Sequence, residues 1–192
     1  MSLSDPKVIE PAALPMRIPM IRANWYNKRD RYPRVVQCSG CFDLLHPGHV
    51  RHLQTAKSWG DLLIVSLNDD ASIRTLKGTG RPILDLQERV IVLTALSAVD
   101  HVTWFTEDTP DRVIRLIQPD VYVKGDEYAL DQIPELTTVF QYGAFRPMPH
   151  TGWTTTKLIE RILNTTCWTA GSSDSTKTAT TDACASWRRT YY

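Results

Sequence analysis

From residue 34 onward the chain alternates short apolar runs with amphipathic stretches. Residues 35–38 (Val35, Val36, Gln37, Cys38) read as a buried strand. Residues 50–59 carry helical spacing through Leu53, Ala56 and Lys57 until Gly60 ends it. A second apolar run, 62–67, closes on Asn68-Asp69-Asp70, and 87–99 reads as an amphipathic helix with Val90, Leu93, Thr94 and Leu96 inward. Residues 101–105 form a third strand, Thr109-Pro110 opens a helix running to 117, and 121–123 form a fourth strand. The spacing then predicts a helix over 131–142 and a short fifth strand over 144–148. Strands separated by helices require right-handed crossovers, hence a parallel sheet covered on both faces. Ligands of such sheets bind at the carboxyl ends of the strands, where the polar turns gather.

The flanks differ. Pro6, Pro11, Pro15 and Pro19 interrupt every candidate helix in residues 1–32, so an irregular N-terminal extension is expected there. Its segment 25–32 is aromatic and basic, suited to packing on the domain or on a neighbouring subunit, and too short to argue for a nucleic-acid arm. Residues 33–163 make one domain. From 164 to 192 the chain is rich in Thr, Ser and Ala without apolar period, and a flexible tail is expected.

Composition narrows the classes. The 192 residues are 42% hydrophobic and 22% charged, ordinary for one globular domain, and a formal net charge of +1 gives no reason to expect nucleic acid. Four cysteines do not make a disulfide framework at this size. Cys38 and Cys41 have the spacing of a redox or metal pair, but His46 and His49 crowd the same turn and no second such pair occurs, which argues against zinc. No apolar run is long enough for a bilayer and no signal pattern opens the chain, so no membrane partner and a cytoplasmic location are expected.

The stretch between the first strand and the helix that follows concentrates the chemistry. His46 and His49 flank Pro47-Gly48 at what should be a helix N-terminus, where unpaired N–H groups and the positive dipole end favour phosphate. Proline suits a first helical turn, and glycine leaves room for a ligand at the backbone. Each imidazole can donate a hydrogen bond to phosphoryl oxygens as charge grows on them. Taken alone, the two histidines could equally be unrelated surface or core residues.

The motif Gly40-x-Phe42-Asp43-x-x-His46-x-Gly48-His49 resembles the signature of the cytidylyltransferase-like nucleotidyltransferase superfamily. The resemblance is nearest to the adenylyltransferase domain of bifunctional ADP-heptose synthases and covers about residues 34–163. Further motifs follow in order: Lys77-Gly78-x-Gly80-Arg81-Pro82, Glu88-Arg89, Ala98-Val99-Asp100, Val123-Lys124-Gly125 and Thr155-Thr156-x-Leu158. It implies an α/β fold, a single Rossmann-like domain with a parallel five-stranded sheet covered by helices on both faces.

It also implies a reaction, in which a phosphorylated acceptor attacks the α-phosphate of a nucleoside triphosphate and releases pyrophosphate without a covalent enzyme intermediate. His46, His49, Lys77 and Arg89 are then the catalytic candidates. Ser39, Gly40, Cys41, Phe42, Gly48, Lys124, Gly125, Asp126, Thr154, Thr155 and Thr156 would line the nucleotide site, and Asp43, Lys77, Arg81 and Arg89 the acceptor side. Lys77 falls on the loop after the second strand, and Arg81 could serve only to order that loop. ATP is the expected co-substrate, with Mg2+ held mainly through its phosphates, and a homodimer is the expected assembly. Departures concern the acceptor and base: Cys38-Ser39 replace a common Thr-Asn, Thr151 an acidic residue, and Pro149-His150-Thr151-Gly152 lack the arginine of the CTP-using branch. A cytidylyltransferase acting on a glycerol, polyol or alcohol phosphate and a non-catalytic nucleotide-binding protein are the alternatives.

Overall fold

The structure is a computed structural model that describes residues 5–126, 129–149 and 152–168. Five strands, β1 (Val35–Gly40), β2 (Leu62–Asn68), β3 (His101–Phe105), β4 (Val121–Gly125) and β5 (Ala144–Met148), form one parallel sheet in the order β3-β2-β1-β4-β5. Strand order reverses between β1 and β4, which opens a crevice at their carboxyl ends, the usual place for a ligand in an open α/β sheet.

Helices cover both faces. On one, α2 (Pro47–Ser58) and α4 (Leu86–Thr94) set Leu53, Ala56, Val90 and Leu93 against Val36, Cys38, Leu63, Val65 and Val123. On the other, α1 (Leu14–Arg29) and α5 (Asp111–Ile117) pack Leu14, Ile18, Val113 and Ile117 against Val35, Leu62 and Ile64. The short α6 (Leu136–Val139) adds Val139 beside Tyr122 and Ile114. Every residue of β2 is buried, which is why it reads as a continuous apolar run rather than an alternating one.

The N-terminal segment departs from the irregular extension expected of it. Pro15 sits in the first turn of α1, where its missing N–H has no partner to lose, and Pro19 is carried inside the helix. Burial of Leu14 and Ile18 on the sheet offsets the hydrogen bond that Pro19 cannot make. Ahead of the helix, Val8 bridges to Val102 on the outer edge of β3, and Lys7 Nζ donates to the carbonyls of Thr94 (2.9 Å) and Leu96 (3.0 Å). That contact helps to end α4 at Thr94, short of the predicted 99.

Three further differences have local causes. Residues 131–142 are not one helix, because Pro134 separates a 3₁₀ turn, Leu130–Gln132, from α6. An additional helix, α3 (Asp70–Lys77), starts directly after β2, where the Asp69 carboxylate accepts from Ser72 N at 2.8 Å as its cap. The last helix, α7 (Thr155–Trp168), continues past 163, and residues 169–192 of the expected tail lie outside the described residues. Among the described residues no helix is long and apolar enough to cross a membrane.

Candidate active site

The loop joining β1 to α2 carries backbone strain. Phe42 (φ 47°) and Leu44 (φ 46°) both take the left-handed conformation without being glycine, which costs of order 1 kcal/mol or more each. Gly40 permits the fold-back of Phe42, because a Cβ there would lie 3.2 Å from the Phe42 ring. Two buried charged residues hold the loop in this shape.

One is Asp43, only 4% exposed. Its carboxylate accepts from Arg81 Nη1 (2.6 Å), Ile83 N (3.0 Å) and Leu84 N (3.0 Å), so it ties the loop before α4 to the histidine turn. The other is Arg89, whose side chain is 0% exposed. Its guanidinium donates to Leu84 O (3.2 Å), Cys41 O (2.7 Å), Asn68 O (2.9 Å) and Asp70 Oδ1 (2.7 Å). Arg89 joins the ends of β1 and β2 to α3 and α4. Asp43 and Arg81 face each other as an ion pair.

His46 is the cap of α2. Its extended backbone (φ −135°, ψ 169°) precedes Pro47, and its Nδ1 accepts from His49 N at 3.3 Å. An accepting Nδ1 leaves the proton of a neutral ring on Nε2, which is the donor a polyanion needs. The His49 ring stacks on His46, centroids 3.8 Å apart and 19° from parallel, and lies 5.3 Å from the Phe42 ring. Burial is the main force holding the His49 pKa down to about 3, reinforced by His46, His52 and Lys77 and opposed by Asp43. His49 is therefore neutral near pH 7, and negative charge brought alongside it raises its proton affinity.

The other candidates surround this pair unevenly. Lys77 is the exposed last residue of α3 rather than a loop residue, and its charge reaches His49. Thr154 Oγ1 accepts from Lys157 N (3.1 Å) and so caps α7, while Thr155 Oγ1 donates to Asp43 O (3.0 Å). The start of α7 is thus docked on the histidine loop, with Thr156 exposed beside it. Cys41 is half-buried with Sγ 4.0 Å from Asn68 Oδ1, and Ser39 and Gly40 end β1. Gly48 is buried in the first turn of α2. On the neighbouring strand, Lys124 and Gly125 end β4, and Asp126 N donates to Met148 O (3.0 Å). Glu127, Tyr128, His150 and Thr151 lie outside the described residues.

Comparison with known proteins gives this arrangement a family. A family model described as cytidylyltransferase-like matches residues 37–173. The chain belongs to the cytidylyltransferase-like family.

Curated relatives include the bifunctional protein HldE of Geobacter sulfurreducens, 48% identical over 132 residues, which is 68% of this chain and 27% of that protein. HldE of Alkalilimnicola ehrlichii is 54% identical over 110 residues, 57% of this chain and 23% of that protein. The chain thus spans about a quarter of the length of these relatives. Among solved structures, a lipopolysaccharide core biosynthesis protein from Thermoplasma volcanium aligns with TM-score 0.53 at 23% identity, over 64% of this chain and 99% of that one. A pantoate-beta-alanine ligase from Francisella tularensis aligns with TM-score 0.52 at 14% identity, over 78% of this chain and 68% of that one, and shares the fold.

Within this cytidylyltransferase-like site, several residues that organise it carry no motif. Asp70 could have been noticed as the acidic residue at a strand end facing a motif arginine. His52, one helical turn beyond His49 and edge-on to Phe42 with ring centroids 6.4 Å apart, is signalled by its spacing alone. Glu135 gives no local signal, because its partners Tyr122 and Lys124 lie on a strand ahead of an intervening loop.

Proposed function

We propose that the protein is a nucleotidyltransferase that moves a nucleoside monophosphate, AMP from ATP, onto a sugar phosphate such as a heptose 1-phosphate and releases pyrophosphate. The observation that carries this reading is the stacked pair His46 and His49 at the N-terminus of α2, beside the crevice between β1 and β4. Two stacked imidazoles, the dipole end of a helix and the cations Lys77 and Lys124 are suited to a triphosphate and not to a neutral ligand.

In this reading the acceptor's phosphate oxygen attacks the α-phosphorus in line and the bond to the β-phosphate oxygen breaks. His46 donates from Nε2 to the phosphoryl oxygens that gain charge. His49 supports it from the stacked position, and Lys77 and Lys124 neutralise the polyphosphate. The strained loop from Gly40 to Leu44 brings backbone close to the nucleotide, held by Asp43 and Arg89. Among the described residues no group of three His, Cys, Asp or Glu side chains is placed to hold a metal. Mg2+ bound with the triphosphate would supply charge neutralisation on the leaving pyrophosphate, beside Lys77 and Lys124.

The preference for ATP rests on the sequence approaching α7, where Pro149-His150-Thr151-Gly152 lack an arginine. The heptose acceptor rests on the likeness to HldE proteins. Residues 33–163 as the catalytic domain, a homodimer and a cytoplasmic setting belong to the same reading. Pyrophosphate release, screened over four nucleoside triphosphates and a panel of sugar and polyol phosphates with magnesium, tests it. A signal confined to CTP with a glycerol or polyol phosphate would replace it with a cytidylyltransferase, and binding of nucleotide without release would leave a binding protein.

A further inference from the structure

β4 presents Tyr122 and Lys124 two positions apart on one face of the sheet, both directed at one oxygen of Glu135. Tyr122 Oη donates to Glu135 Oε1 at 2.9 Å, and Lys124 Nζ donates to the same atom at 2.7 Å. Glu135 is 1% exposed and precedes α6, with its own carbonyl accepting from Thr138 N and Val139 N at 3.0 Å. The carboxylate is therefore fixed both by its helix and by a buried phenol. Burial and the Glu135 charge together push the Tyr122 pKa well above its ordinary value, so the phenol remains a donor.

A buried carboxylate requires a cation, and Lys124 pairs with Glu135 at 2.7 Å. Lys124 is the more exposed member of the pair: its side chain is 21% exposed against 1% for Glu135, and it stands at the carboxyl end of a central strand beside the reversal point of the sheet. A free lysine side chain has four rotatable bonds to order before it can hold a phosphate. Here much of that ordering is done in advance.

Building on the reading of the protein as a nucleotidyltransferase, we infer that Glu135 is a positioning residue of the nucleotide site. Anchored by Tyr122, it holds the Lys124 ammonium at the end of β4, aimed at the triphosphate. Glu135 does not touch the nucleotide and acts through Lys124. Two opposed effects of removing its charge decide the sign. A less compensated Lys124 would attract phosphate more strongly, whereas a less firmly anchored one would have to be ordered by the ligand. The short bond and the depth of Glu135 make anchoring the larger effect.

The test is calorimetric binding of Mg-ATP to the full chain, with pyrophosphate release measured on the same preparations. Glu135→Gln keeps the shape and an acceptor oxygen for Tyr122 but removes the ionic anchor, and should raise the dissociation constant about tenfold, as expected for a weakened charge-assisted contact. Tyr122→Phe loosens Glu135 from behind and should raise it less, in the same direction. In a Lys124→Ala background neither substitution should change binding further. A dissociation constant unchanged or lowered by Glu135→Gln overturns the inference, as does an equal rise in the Lys124→Ala background, which would mark a general structural effect. If Glu135→Gln does not fold, Tyr122→Phe with and without Lys124→Ala carries the same comparison. A wild type that binds no nucleoside triphosphate sinks both the inference and the proposed function, whereas one that binds and transfers while the variants are unmoved sinks the inference alone.

Discussion

Arg89→Lys separates two roles that the residue's position in the sequence could not. A lysine would keep most of the attraction to a phosphate, so an acceptor-binding Arg89 should tolerate the change with its fold intact. The structure gives Arg89 four bonds from three nitrogens, to Leu84 O, Cys41 O, Asn68 O and Asp70 Oδ1, and a side chain 0% exposed. One ammonium cannot span acceptors contributed by the loop after β1, by β2, by α3 and by the turn before α4, and it retains two of them at most. Losing two bonds from a charged donor, at roughly 1.5–3 kcal/mol each, gives about 3–6 kcal/mol. Hydration of Asp70, whose side chain is 26% exposed, brings the expectation toward the lower end. Urea unfolding should show the midpoint falling with the slope unchanged, which assigns the effect to stability of the native state. Turnover of the surviving folded fraction should fall because Cys41 and Phe42 are no longer held. A variant within about 1 kcal/mol of wild type whose acceptor KM rises tenfold or more would refute the reasoning and return Arg89 to the substrate.

Other outcomes follow from the same geometry. His46→Ala and His49→Ala should each lower kcat by about a hundredfold or more with little change in nucleotide KM, since their donors matter most as charge develops, and wild-type turnover by either would end that role. His49 has a pKa of about 3 in the folded protein against an ordinary value near 6.5, so its contribution to stability is fully present above pH 6.5 and is lost as pH falls toward 3. Comparing wild type with His49→Asn from pH 6.5 to 5 should therefore show wild type losing more, by up to about 2 kcal/mol before solvent screening, and identical slopes would contradict this. Light scattering at micromolar concentration should report a homodimer, with Tyr26 and Tyr32 as exposed aromatic contacts (ring centroids 4.9 Å apart), and a strictly monomeric mass would remove that part of the proposal.

The sheet was legible because buried parallel strands are apolar throughout, as residues 62–67 show, and because Gly60 and the polar turns punctuate them. Helix α1 was not, since a proline count is a local rule and the burial of Leu14 and Ile18 that outweighs it is tertiary. Helix α3 was missed because Asp69 was read as part of a strand-end turn when it is a cap. The motifs located Asp43, Arg81 and Arg89 but could not say which way their charges point. Inward direction depends on carbonyls and amides from other segments, such as Asn68 O and Ile83 N, which no spacing along the chain reveals. Glu135 is the extreme case, legible only once the fold has set it beneath β4.

The most direct test of the central claim is to identify the product. Wild-type protein is incubated with equal ATP and CTP, a heptose 1-phosphate and magnesium, and the nucleotides are followed by phosphorus NMR. The expected result is one nucleoside diphosphate sugar carrying adenosine, formed mole for mole with pyrophosphate, and absent with His46→Ala or in excess chelator. A cytidine product, or consumption of neither nucleotide while both bind, would contradict the account.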